Sequence, residues 1–326
     1  MGIELGVRPY QRRFVSPLQT AHGLWSWREG LLVRLRDSLG RVSYGEIAPI
    51  PWFGSESLEE ALQFCIAQNG EWRGETIPER LSATQFGLGC ALAELAEAGC
   101  LTGKEPAIVD VCGLLPAGEA ALDLASQRLA QGHRTLKWKI AVQAIADEIR
   151  WLDQLVKALP PDAHLRLDAN GGLSLAQAEQ WLMACDRINT DPQTAAIEHL
   201  EQPLPSDQLL AMQDLGRRYQ TAIALDESVA TLAQLEKCRA QGWRGVVVVK
   251  PAIAGSPQRL QAFCQTYRPR LVFSSAFETG VGRRAALAVA SRCSSACSAA
   301  LGFGTQGWFT DDWDTLTPAE LWDRLQ

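Results

Sequence analysis

The sequence has no cluster of lysine and arginine, and its cysteines show no metal-binding spacing. With a formal net charge of −6 and no basic patch, a nucleic-acid surface is not expected. The nine cysteines are scattered. The nearest pair, Cys293 and Cys297, lies in a stretch that reads as helix, and no second pair completes a zinc site. They are expected to be small, buried and reduced, as in a cytoplasmic protein. The opening residues, MGIELGVRPYQRR, lack the apolar core and cleavage site of a secretory signal, so no export is expected. The most apolar late stretch, AALAVASRCSSACSAALGFG, is interrupted by Arg292 and Gly302 and is not expected to span a membrane. There is no internal repeat beyond a strand–helix unit and no low-complexity segment. What is present is 326 residues, 47% of them hydrophobic, as in a globular enzyme with a large core. That length exceeds the roughly 250 residues of a single barrel, which leaves room for a second, smaller domain.

Two kinds of organisation follow one another. Up to about residue 105, the runs LLVRLRD and RVSYGEI, joined by Ser38-Leu39-Gly40, predict a hairpin. Two helices follow. Ser57 with Glu60 and Ser82 with Gln85 fit capping boxes, and Gly70 and Gly99 are the stops. Strands before helices is an α+β order. From about 106 to 309 the pattern alternates. The candidate strands are AIVDVCG, TLKWKI, HLRLDA, AIEHLE, AIALDE, GVVVVKP, LVFSSAF and AALGFG, with helices between them. Ser174 with Gln177, Thr231 with Gln234, and Ser256-Pro257 mark helix starts. No glycine-rich phosphate loop follows the first strand, which weighs against a dinucleotide-binding sheet and for a (β/α)8-type barrel. A short helix opened by Pro318 ends the chain, and residues from about 310 to 326 are expected to complete the first domain.

The apolar runs of the barrel end in chemistry. Lys139 closes TLKWK, Asp168 closes HLRLD, Glu201 closes AIEHLE, Asp226 closes AIALD and Lys250 closes VVVVK. Barrel enzymes build their sites from such C-terminal strand ends. Adjacent strands lie about 4.8 Å apart, so three carboxylates from consecutive strands can meet. Oxygen ligands without histidine or cysteine favour Mg²⁺ or Mn²⁺. Each carboxylate taken singly could equally cap a helix; three in series with lysines on both flanks point to a cation. Lys137 lies two before Lys139 and shares its inward face, with Trp138 turned toward the helices. Two neighbouring amines near a metal are expected to lower each other's pKa. Lys250 should stand across the barrel, since the second and sixth of eight strands are opposed. Such a site suits removal of a proton next to a carboxylate. Ser274, Ser275 and the Gly280–Gly282 turn precede a helix start whose amides are expected to hold a second carboxylate. Residues 16–27 and 49–55, rich in glycine, proline and tryptophan, read as lids or as packing between domains.

The set K-x-K, L-D-A-N, E-Q-P, L-D-E-S and V-K-P resembles the enolase superfamily in its muconate-lactonizing subgroup. The resemblance covers the whole chain and implies a modified TIM-like barrel behind an N-terminal α+β capping domain. With YGEIAPIP and SSAFETGVG, it implies a hydro-lyase of small molecules that acts on 2-succinyl-6-hydroxy-2,4-cyclohexadiene-1-carboxylate. The product would be 2-succinylbenzoate, a precursor of menaquinone or phylloquinone. It also implies Mg²⁺ on Asp168, Glu201 and Asp226, Lys139 as base and then acid, Lys137 tuning it, and Lys250 stabilising the anionic intermediate. Asn170 would support the metal shell; Arg166, inward by alternation, would do so or would pack against a carboxylate. The rivals are an N-acylamino acid racemase or dipeptide epimerase of the same subgroup, and a non-catalytic binding protein on the same fold. The Asp-x-Asp of dipeptide epimerases is missing from LGFGTQGW.

Overall fold

The computed structural model describes residues 2–20, 23–96, 110–293 and 300–325. The first layer is an antiparallel sheet of β1 (Ile3–Thr20), β2 (Gly23–Arg36), β3 (Val42–Ile47) and β4 (Glu71–Trp72), in the order β3-β2-β1-β4. The expected hairpin is β2–β3, turned at Gly40 (φ 80°), with Asp37 Oδ1 accepting the amides of Leu39 and Arg41. The long β1 adds to the two strands read from sequence; Arg8, Arg12 and Arg13 obscure its alternation. Arg12 is nonetheless buried. Asp311 and Asp314 take its guanidinium at 2.7 and 2.9 Å, and the Phe309 ring lies 3.9 Å beneath it.

Helix α1 (Leu58–Ala67) starts at the Ser57–Glu60 capping box, and Gly70 follows it in a left-handed turn. Helix α2 (Ser82–Ala96) corrects the second expected cap. Glu56 reaches its first turn and accepts from the amides of Ala83 (3.0 Å) and Thr84 (2.7 Å) and the Thr84 hydroxyl, while Ser82 Oγ is buried without a partner. Its expected stop at Gly99 and the boundary near 105 lie outside the described residues, as does Cys297. Helix α2 lies directly on β3: a Cβ on Gly45 would sit 2.2 Å from the Gly87 carbonyl oxygen, so only glycine permits this approach.

The second layer is a parallel sheet in sequential order. Its strands are β5 (Gly113–Leu115), β6 (Thr135–Lys139), β7 (His164–Asp168), β8 (Ala196–Glu201), β9 (Ala222–Leu225), β10 (Val246–Val249) and β11 (Leu271–Phe273). Between them run α3 (Ala120–Ala130), α4 (Ile145–Ala158), α5 (Leu175–Asn189), α6 (Leu209–Arg218), α7 (Leu232–Ala240), the short α8 (Pro251–Ala254) and α9 (Pro257–Tyr267); α10 (Gly280–Arg292) follows β11. Both capping boxes at Ser174 and Thr231 form, and Ser256 caps α9 with Pro257 at its first position. The eighth strand is shorter than expected. Leu301 bridges Val111 and Gly302 bridges Ser274, with Gly302 N donating to Phe273 O at 2.7 Å. Those two residues join β11 back to the start of β5, so the sheet is a closed barrel. In the first expected strand, residues 107–109 lie outside the described set and the ladder begins at Gly113.

Trp138 faces the helix layer, edge-on to Trp181 of α5 at 6.2 Å, which turns Lys137 and Lys139 inward. Helix α11 (Pro318–Arg324) returns to the first layer, where Trp322 packs with Leu32 and Tyr44. Among the described residues no helix is long and apolar enough to cross a membrane.

Candidate active site

Parallel pairing puts Lys139, Asp168 and Glu201 at one level, because Lys139 aligns with Asp168 and Asp168 with Glu201. Asp226 follows β9 and Lys250 follows β10, so all five strand-end residues reach the same rim. Their sequences explain this. Each run is largely buried, and its last residue, an acid or a lysine, stands where the strand leaves the barrel wall.

The charges pair in a definite way. Lys137 Nζ lies 2.8 Å from Asp168 Oδ2 and 2.7 Å from Glu201 Oε1, while Lys250 Nζ contacts Asp226 Oδ1 and lies 3.9 Å from the centre of the Phe53 ring. Lys139 is half-buried and makes no hydrogen bond or ion pair with the described residues. Among those residues no three carboxylate, histidine or cysteine side chains close to metal-ligand spacing: the lysines stand between the acids. For Lys137 the surrounding carboxylates decide the pKa. Burial disfavours its ammonium, but Asp168, Glu201 and Asp226 outweigh burial and hold its pKa well above the ordinary lysine value. The carboxylates of Asp168 and Glu201 lie within hydrogen-bond distance of it.

Burial also opposes charge on Glu201, yet Lys137 and then His199 keep its pKa well below the usual carboxylate range. Asp226 behaves oppositely. Burial, reinforced by Glu227 and Glu201 against the pull of Lys250, pushes its carboxyl up to about 8. Glu227 is raised too, by burial and then Asp168. Its Oε1 accepts from Asn170 Nδ2 at 3.0 Å, but its Oε2 is buried without a partner among the described residues. Four carboxylates therefore share the mouth with two engaged ammonium groups, and one acid oxygen is left over. An oxygen-only donor set short of positive charge fits a hard divalent cation such as Mg²⁺.

Two supporting residues escaped the sequence reading. Glu227 follows Asp226 in LDES, and alternation alone would have turned it outward. Gln202 of the EQP segment sits at φ 36°; its Oε1 accepts the Asp226 amide at 3.0 Å and its Nε2 donates to Ser228 Oγ and Leu204 O, each at 2.8 Å. It ties the end of β8 to the end of β9 and so orients Asp226. Asn170 is placed as expected beside the acids: φ is 44°, its amide donates to Asp168 Oδ1 at 3.0 Å, and asparagine tolerates that left-handed backbone.

Arg166 takes the second of its two expected places, against a carboxylate. Arg166 pairs with Glu198 at 2.9 Å and donates to the Ala300 carbonyl at 2.8 Å, inside the barrel below the mouth. The start of α10 is already satisfied from within: Glu46 of β3 accepts the amides of Thr279 and Gly282, each at 2.9 Å, and the Thr279 hydroxyl. Gly280 is buried beside that carboxylate cap, which corrects the expectation that these amides receive a substrate carboxylate. Ser275 is spent on its own loop, donating to Glu278 and accepting the Phe277 amide, whereas Ser274 is half-buried, its hydroxyl 3.2 Å from Gly302 O.

Comparison with known proteins agrees with this architecture. Residues 120–319 match the family described as enolase C-terminal domain-like, and residues 19–95 match the MenC N-terminal domain. The chain is 40% identical to o-succinylbenzoate synthase of Thermosynechococcus vestitus over 98% of each chain. A crystal structure of o-succinylbenzoate synthase from Thermosynechococcus elongatus BP-1, complexed with Mg in the active site, superposes with a TM-score of 0.89 at 38% identity, covering 98% of this chain and 99% of that one. The L-Ala-D/L-Glu epimerase of Bacillus subtilis, at 21% identity and a TM-score of 0.70 over 96% and 92% of the two chains, shares the fold.

Proposed function

This chain belongs to the o-succinylbenzoate synthase family of the enolase superfamily, and from that membership we propose how its own residues divide the reaction. It is a metal-dependent hydro-lyase with Mg²⁺ as cofactor. The reaction removes water from 2-succinyl-6-hydroxy-2,4-cyclohexadiene-1-carboxylate and leaves aromatic 2-succinylbenzoate, a menaquinone precursor. Asp168, Glu201 and Asp226 would hold the ion, with Glu227 and Asn170 beside them. When bound, the ion supplies Lewis-acid stabilisation to the negative charge that builds on the substrate carboxylate.

Lys139 takes the proton from the carbon next to that carboxylate, and the electron pair moves into the ring and carboxylate. The same amine, now an ammonium, gives its proton to the departing hydroxide. Proton and hydroxide thus leave from one face, and Lys139 ends as it began. Lys137, tied to Asp168 and Glu201, remains charged beside it. Lys250 faces the substrate from the opposite wall as an ammonium and stabilises the anion through its charge.

The observation that carries this assignment is the difference among the three amines. Lys137 and Lys250 are engaged by carboxylates, and half-buried Lys139 is not. The test is to follow the aromatic product by absorbance with the cyclohexadiene and Mg²⁺. Lys139→Ala should stop it while leaving the fold intact; near-native turnover would refute the role. Cys65, Cys90, Cys112, Cys185 and Cys238 are buried free thiols, which supports a cytoplasmic setting.

A further inference from the structure

The contact between Lys250 and Phe53 joins the two layers at the barrel mouth. Phe53 ends the turn Pro51–Phe53 of the first layer, and its ring centre lies 3.9 Å from Lys250 Nζ. That turn is fastened on both sides. Ahead of it, buried Arg28 donates to the carbonyls of Ala48 and Pro49 and, at 3.0 Å, to Ala276 on the barrel rim. Within it, Ser55 Oγ accepts the Ile50 amide at 2.7 Å and the Phe53 amide donates to Ile50 O at 2.9 Å. Behind it, Gly54 has φ +119°, and a Cβ there would lie 3.0 Å from the Ala230 side chain. The turn therefore rests on the loop that follows Asp226 and Glu227. An aromatic wall braces it, with Trp25 edge-on to Trp52 at 4.9 Å and to Phe277 at 5.5 Å.

Lys137 is oriented by two carboxylates; among the described residues Lys250 has one, Asp226. An ammonium has three N–H groups. Asp226 takes one, and the Phe53 face lies over the head group as a second, uncharged attraction. One donor is left for a group bound in the mouth, and the Lys250 side chain is only 12% exposed. We propose that Phe53 is a positioning residue for the dehydration: its ring, held by Arg28 and Gly54, aims the Lys250 ammonium at the substrate. The proposal rests on the role given to Lys250 above. An aliphatic side chain of similar size fills the same space but offers no negative face, so the effect belongs to the ring and not to its volume.

The experiment compares Phe53→Leu with Phe53→Tyr in the Mg²⁺-loaded enzyme. Phe53→Leu should lower kcat about 5- to 30-fold, the range set by a partly desolvated cation–π contact, with KM changed less than kcat. Phe53→Tyr should recover most of that loss. A second arm uses the protein without substrate: brief acetylation by acetic anhydride, read by peptide mass spectrometry. Lys250 should react faster in Phe53→Leu, while exposed Lys157 reacts equally in both. Full kcat in Phe53→Leu, an equal loss in Phe53→Tyr, or unchanged Lys250 labelling would each overturn the proposal. Should the wild-type protein fail to dehydrate the cyclohexadiene, the functional reading falls, and the labelling still decides whether Phe53 shields Lys250.

Discussion

Glu46 and Asp226 are both buried carboxylates, one at the seam between the layers and one at the barrel mouth, and they are neutralised in different ways. Glu46 accepts from Tyr10, from the Thr279 amide and hydroxyl, and from the Gly282 amide. Glu56 and Glu148 follow the same pattern: Glu56 takes the first amides of α2, and Glu148 takes those of Ala141, Val142 and Gln143. At the mouth the acids meet ammonium groups instead, and Glu227 Oε2 has no partner among the described residues. Fixed amide donors make a carboxylate part of the architecture. Acids held by lysine side chains, with an oxygen to spare, retain the capacity to bind a cation and to share it with a ligand. Burial alone does not distinguish the two kinds; the donors do.

The sharpest way to break the comparison is to strip the mouth of its cation. Exhaustive chelation should bring turnover to background, with Mg²⁺ or Mn²⁺ restoring it, while the far-ultraviolet circular dichroism stays unchanged because the seam needs no metal. Next in size is Lys139→Ala, expected to cost at least about 10³-fold in kcat, since it removes base and acid together and each is worth roughly 10²–10⁴. Its melting temperature should match wild type. Glu46→Ala should do the reverse. It leaves buried amides at the start of α10 without acceptors and should cost about 2–4 kcal/mol in urea unfolding. Mg²⁺ affinity of the folded fraction should be retained.

A smaller effect separates the regions by pH. The Asp226 carboxyl is raised in the folded protein to about 8 from an unfolded value of roughly 3.9. Its contribution to stability is therefore fully present below the unfolded pKa and is lost as pH rises through the folded one. Glu201, held low by Lys137, contributes above its unfolded pKa and loses that contribution only in acid. Metal-free protein should accordingly lose stability between about pH 5 and 8, and saturating Mg²⁺ should flatten that slope. A metal-free melting temperature that rises across this window would count against the placement of Asp226. The least effect is expected of Ser82→Ala. It removes a buried hydroxyl that caps nothing, and unfolding should shift by less than about 0.5 kcal/mol or show a slight gain.

The same contrast explains what the sequence could reveal. The mouth was legible because each acid or lysine ends an apolar run and the barrel repeats that arrangement strand after strand. Trp138 between two lysines gave their direction through period-two alternation alone. The seam was not legible in this way. Glu56 caps a helix that begins 26 residues later, displacing the local Ser82–Gln85 signal, and Glu46 reaches Thr279 across 233 positions. No local pattern encodes such partners. The helix start at Gly280 looked open to a ligand because its internal acceptor is remote in sequence. Phe53 lay within a segment read as a lid or as packing, but its position over Lys250 depends on Arg28 and Gly54 together. The direction of the Lys137 pKa depends on its two carboxylate contacts, at 2.8 and 2.7 Å, which come from other strands and which no local pattern encodes.

The central claim, that the mouth acids are the ones short of positive charge, is tested most directly by isothermal titration of Mg²⁺ into metal-free protein. Wild type should bind one ion per chain, and Glu46→Gln, altered only at the seam, should do the same. Combined Asp168→Asn, Glu201→Gln and Asp226→Asn should abolish the heat of binding. Unchanged binding in that triple variant would contradict the assignment of the metal site.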